Sequence, residues 1–161
     1  MGPVTSPPGA PPTPWQPALL ELYRSDYVRL VRLAVLVGAD RTVAEELVQD
    51  AFVAAHRTWD GVREPLPYVR RAVVNRCHSW GRRQALERDR RPSPPDDATL
   101  GADELWDALA TLSDRQRTAI VARYYLDLPD PDIADLLGCR PATVRTAIHR
   151  GLAALRKEIP R

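Results

Sequence analysis

The sequence predicts an all-α chain: two small helical domains joined by a flexible linker, the C-terminal one containing a helix-turn-helix. Three observations carry this. Apolar residues recur at helical spacing and nowhere alternate as a strand would. Proline-rich stretches at residues 1–17 and 91–101 bracket the helical blocks, and residues 130–161 read as two helices about a glycine turn.

Residues 1–17 hold seven of the sixteen prolines and almost no large apolar side chain, the composition of a disordered tail. From Ala18 the stripe Leu19, Leu22, Tyr23, Tyr27, Leu30, Val31, Val35 defines a first helix ending near Gly38. Asp40 is a candidate N-cap for a second, with Val43, Leu47, Val48, Ala51, Phe52 and Ala55 inward, running to about Trp59. Gly61, Pro65 and Pro67 make 60–67 a break, after which a third helix runs from about Tyr68 through Val69, Ala72, Val73 and Trp80. These helices form a first domain over 18–90. Residues 91–101, with Pro92, Pro94 and Pro95 among Ser and Asp, read as a flexible but extended linker. The second domain, 102–161, opens with an amphipathic helix carrying Leu105, Leu109 and Leu112. A helix capped by Ser113 with Ile120, Val121 and Tyr124 follows, and then the helix-turn-helix.

In that last pair Ile133, Ala134 and Leu137 share one face, Gly138 permits the reversal, and Pro141 suits a first helical turn. Val144, Ile148, Leu152 and Leu155 give the final helix an apolar stripe at helical spacing. Arg140 precedes that helix, and Thr143, Arg145, Thr146, His149 and Arg150 lie on its free face, donor-rich types suited to phosphates and base edges in a major groove. DNA binding is the first expectation; an ordinary helical hairpin with a solvated basic face is the alternative.

Net charge is only +2, so a nucleic-acid surface requires local segregation of charge. Residues 70–91 supply it, with eight arginines against Glu87 and Asp89. On the third helix Asn75 can bond a base edge, His78 and Trp80 offer flat faces, and Arg70, Arg71, Arg76, Arg82 and Arg83 can follow a backbone. Trp80 fits equally well as a core residue. The second helix presents Glu46, Gln49 and Asp50 outward, a face better matched to a basic protein surface than to DNA. Cys77 and Cys139 have no ligand or disulfide spacing, so plain thiols are expected, with no metal and no cofactor. Neither a signal peptide nor a membrane span is evident, and a cytoplasmic protein without membrane insertion is expected.

The segments Ala44 to Trp59 (AEELVQDAFVAAHRTW), Tyr68 to Arg83 (YVRRAVVNRCHSWGRR) and Leu112 to Arg156 occur in the order seen in bacterial sigma factors of the extracytoplasmic-function type, and the chain resembles that family from about Leu19 to Lys157. The resemblance makes 18–90 region 2, which recognises and melts the −10 element, and 102–161 region 4, which reads the −35 element. It implies core RNA polymerase, promoter DNA and an anti-sigma factor as partners, with Glu46, Gln49 and Asp50 on the polymerase. It also implies that the 60–67 break helps shape a pocket for an extruded base. The chain departs from the family at Ser79, where aspartate is common, and at Ala147, where arginine is frequent, so one polar contact in each reader is not secured. His149 and residues 129–132 also differ, with the helix-turn-helix spacing kept.

The other function class is a stand-alone helix-turn-helix repressor or activator that dimerises on a two-fold operator. A ligand or dimer domain has no need of the arginines on the third helix, which favours the first reading. No glycine-rich phosphate loop, nucleophile elbow, HExxH or carboxylate cluster suggests an enzyme.

Overall fold

The computed structural model describes residues 15–87 and 102–159; the expected linker and most of the expected tail lie outside them. Every regular element among the described residues is helical. The first group is α1 (Pro17–Leu36), α2 (Arg41–Arg57), a short 3-10 turn (Trp59–Gly61) and α3 (Pro65–Glu87). The second is α4 (Ala102–Ala110), α5 (Asp114–Tyr124), α6 (Asp130–Leu137) and α7 (Pro141–Glu158).

In the first group the three helices pack mutually around Leu19, Leu30, Leu33, Val48, Phe52, Val69, Val73 and Val74, all essentially inaccessible. Full burial of a side chain such as Phe52 is worth roughly 1.5–3 kcal/mol. Asp40 caps α2 as expected, its carboxylate accepting from the Thr42 N–H at 3.2 Å. Helix α3 starts three residues earlier than expected. Pro65 and Pro67 open it because a first-turn proline has no N–H to leave unpaired, and the Tyr68 N–H closes that turn on the Glu64 carbonyl. Its inward face is Val69, Val73, Val74 and Cys77, while Ala72 and Trp80 are half-buried.

In the second group α5, α6 and α7 pack mutually and α4 lies on α7. Ser113 caps α5 through a full capping box with Gln116, which answers two of the orphan N–H groups of that helix end. Two expected core positions are wrong. Leu105 is exposed and Trp106 takes its place, because the inward face of α4 is Trp106, Ala108 and Leu109. Tyr124 is exposed because it ends α5, whose inward face is Arg117, Thr118, Ile120 and Val121.

The two groups touch. Helix α3 packs on α6, and α1 on α5.

Candidate nucleic-acid interface

The α6–α7 turn sets the geometry of the first surface. Gly138 adopts φ +64°, and the Gly138 and Cys139 N–H groups return to the Asp135 and Ala134 carbonyls, closing α6 with a left-handed cap. Pro141 then opens α7. Helix α7 sits unusually close to α5 at Gly151, where a Cβ would lie 2.5 Å from Ile120 Cδ1. Its buried face is Val144, Ala147, Ile148, Gly151 and Leu155, and that burial turns Arg145, Thr146, His149 and Arg150 into solvent. Arg140 is exposed and Thr143 half-buried, so the six expected residues form one surface. Ala147 belongs to the packed face, so alanine at this position takes nothing from the exposed row.

Arg145 does not hang free. Its Nη1 lies 3.6 Å from Asp130 Oδ2, and the same carboxylate pairs with Arg123. The Thr146 hydroxyl donates to the Ala142 carbonyl at 3.1 Å, so it offers its lone pairs outward.

Helix α3 carries two separate rows. Arg71, Asn75, His78 and Arg82 recur at four, three and four residues, the spacing of one helical face; Arg76, Trp80 and Arg83 form a second row across the buried stripe. Asn75, Arg71, Arg82 and Arg83 are exposed, whereas Arg70, Arg76, His78 and Trp80 are half-buried. Burial, then the neighbouring Arg29, lowers the Arg70 pKa, against the pull of Asp26 and of Asp132 on α6. Arg76 turns towards α2, lining an open groove of about 390 Å³ with Asp50, Val53, Ala54, Arg57 and Thr58. The eight α3 residues therefore do not act as one strand-following row.

On α2, Glu46, Gln49 and Asp50 are exposed together, and Gln49 Nε2 donates to the Tyr27 hydroxyl at 3.3 Å. Cys77 and Cys139 are free thiols. No group of three or more potential metal ligands occurs among the described residues, and no helix there is long and apolar enough to cross a membrane.

Sequence reasoning missed Arg117 and Thr118, which are buried yet polar. Arg117 Nε donates to the Leu36 carbonyl at 2.5 Å, its Nη2 reaches the Val35 carbonyl at 3.5 Å, and its guanidinium carbon stands 5.1 Å from the centroid of the Trp106 ring. Burial pushes its pKa down to about 10, against the pull of Asp114, so it remains cationic at neutral pH. Thr118 shares a 2.8 Å hydrogen bond with His78 Nε2. The signal in the sequence is an arginine one turn before Ile120 and Val121, on the face that turns inward.

Comparison with known proteins matches residues 22–87 to sigma-70 region 2 and residues 102–155 to sigma-70 region 4. The chain is 34% identical over 149 residues to the RNA polymerase sigma-E factor of Streptomyces coelicolor, covering 83% of this chain and 84% of that one. It is 36% identical over 143 residues to the ECF RNA polymerase sigma factor ShbA of Streptomyces griseus, covering 81% and 69%. The sigma factor RpoE, solved with the anti-sigma factor NepR from Bartonella quintana, shares the fold with a TM-score of 0.73 at 21% identity, covering 88% and 96%.

Proposed function

Since the chain belongs to the extracytoplasmic-function class of sigma-70-type RNA polymerase sigma factors, we propose that it docks on core RNA polymerase and reads a two-part promoter with α3 and α7. Residues 102–161 read the −35 element. Arg145, Thr146, His149 and Arg150 meet base edges and phosphates, with Arg140 and Thr143 at the start of the helix. Residues 18–90 open and hold the −10 element. An initiator that opens duplex without hydrolysing ATP must bind the unpaired strand better than its complement did. Asn75 supplies the base-edge hydrogen bonds, Trp80 and His78 the flat faces, and Arg70, Arg71, Arg76, Arg82 and Arg83 the backbone charge. Glu46, Gln49 and Asp50 meet a basic surface of the polymerase.

The observation that carries this reading is the solvent-facing donor row of α7, held by a helix whose opposite face is fully packed. The protein acts in the cytoplasm as an initiation factor and not as an enzyme. An anti-sigma factor is the expected regulator, as RpoE was solved with one.

The test is reconstitution with Streptomyces core polymerase on a library of promoter fragments. The expected result is initiation at one class of sequence only with both proteins present, and weak duplex binding by the chain alone. Tight binding of a two-fold operator by a polymerase-free dimer would instead establish a stand-alone regulator.

A further inference from the structure

Pro129 and Pro131 flank Asp130 at the start of α6, and two fixed φ angles leave the backbone there little freedom. An acid in that position ordinarily serves its own helix end. Here that end is answered without it. The Asp132 and Ile133 N–H groups both return to the Pro129 carbonyl, and Pro131 has no N–H to satisfy. The Asp130 carboxylate pairs instead with Arg123 of α5 and Arg145 of α7, so one acid ties together the three mutually packed helices of the second group. The two pairs are unequal. Arg123 lies in the last turn of α5, where the negative pole of that helix favours a cation, and its side chain is 35% exposed against 23% for Asp130. Arg145 is 63% exposed and meets the acid only through Nη1 at 3.6 Å, beyond ordinary hydrogen-bond length, which leaves the rest of its donor fork uncommitted.

We infer that Asp130 is a positioning residue of the α7 reader: braced by Arg123, it fixes the direction in which Arg145 presents its fork, and so sets base preference at one −35 position without touching DNA itself. The inference rests on the proposed reading role of α7. An arginine that nothing holds explores many rotamers and surrenders them on binding, which weakens a contact by about threefold to tenfold. A loosely held arginine is ordered beforehand. The gain falls on the base that Arg145 meets in one geometry, because base edges carry sequence information and phosphate contacts do not. A two-pronged donor matches the O6 and N7 acceptors of guanine, so guanine is the base this arrangement favours. The Asp130 charge acts in the same direction from the other side, since a carboxylate beside the groove repels phosphates whatever their sequence and so weakens binding that carries no information.

The test is a double-mutant cycle on the full chain bound to core polymerase, with wild type, Asp130→Asn, Arg145→Ala and the double variant competed among promoter fragments carrying each base at the −35 position that Arg145→Ala relaxes. Asp130→Asn keeps the shape and removes the charge. Wild type should prefer guanine there. Asp130→Asn should lower discrimination at that position by about threefold, with the substituted fragments bound at least as well as by wild type. In the Arg145→Ala background the same change should leave discrimination unaltered, because a residue that acts through Arg145 has nothing left to act on. An equal loss of affinity on all fragments would mark Asp130 as merely structural and overturn the inference. So would undiminished discrimination, preference for another base, or an effect of the same size without Arg145. Should Asp130→Asn fail to fold, Arg123→Gln decides: it removes the brace and lets the carboxylate follow Arg145, so discrimination should fall only while Arg145 is present, and unchanged discrimination overturns the inference. If Arg145→Ala itself relaxes no position, the reading role of α7 fails and takes the inference with it, whereas an effect of Arg145→Ala without one of Asp130→Asn sinks the positioning role alone.

Discussion

Gly138 fixes the angle at which α7 leaves α6, and its replacement separates two effects that are usually mixed. At φ +64° an L-residue meets the left-handed penalty, about 1–2 kcal/mol. Alanine also narrows the unfolded ensemble, which returns about 0.4–1 kcal/mol. Packing contributes little, because the nearest side-chain atom to an added Cβ is Arg71 Nη2 at 4.0 Å. Gly138→Ala should therefore destabilise the α4–α7 group by about 1 kcal/mol, which for about sixty residues lowers Tm by about 4–8 °C. Asparagine tolerates this backbone region, so Gly138→Asn should lose less than half as much. Circular-dichroism melts of the full chain and both variants measure the ordering, and −35 duplex binding by the holoenzyme at about 10 °C, where both variants stay folded, should match wild type. Equal losses for Ala and Asn, or a loss above about 3 kcal/mol, would show that the site is governed by packing.

Arg145→Ala should cost about 1–3 kcal/mol in promoter-complex affinity and relax preference at one −35 position, measured by competition among substituted fragments. Asn75→Ala should slow strand opening, followed by permanganate reactivity, while closed-complex affinity holds; equal loss at both steps removes Asn75 from the melting role. Burial pushes the Cys77 thiol up to about 12, so its thiolate fraction at pH 8 is about one in ten thousand and iodoacetamide should modify half-buried Cys139 first. Burial beside Thr118, with Arg82 adding to it and Asp114 opposing, lowers the His78 pKa below the ordinary value of about 6.5. The unfolded chain then binds more protons than the folded one as pH falls below that value, so the contribution of His78 to stability is greatest above it and declines on acidification. A melting temperature that falls as steeply from about pH 8 to about pH 5 in His78→Gln as in the wild type would contradict this.

Much of this architecture is readable in the sequence because amphipathic periodicity and turn chemistry are local. Asp40, Ser113 and Gly138 each do at their own helix end what their residue types suggest. The failures are equally physical. Pro65 and Pro67 look like breakers in the sequence, but a proline disrupts a helix interior and not its first turn. Hydrophobicity alone favours Leu105 over Trp106 for the core, although the large ring is what Arg117 needs beside it. The surface of α7 is legible because one helix and its buried stripe define it. The surface of α3 is not, since which of its flanks is covered depends on helices brought together from beyond residue 101. Arg117 poses the same difficulty, as its acceptors lie more than eighty residues away.

The carboxylate of Asp130 is shared between Arg123 and Arg145. If Arg145 meets a base as proposed, Asp130 is not stranded by its departure, because Arg123 stays in place to neutralise it. A carboxylate with a single partner would resist that departure, since losing it leaves an uncompensated charge in a partly enclosed site. Two cations on one acid thus make the Arg145 side chain easy to release and quick to recapture, which is what the proposed reading role asks of it.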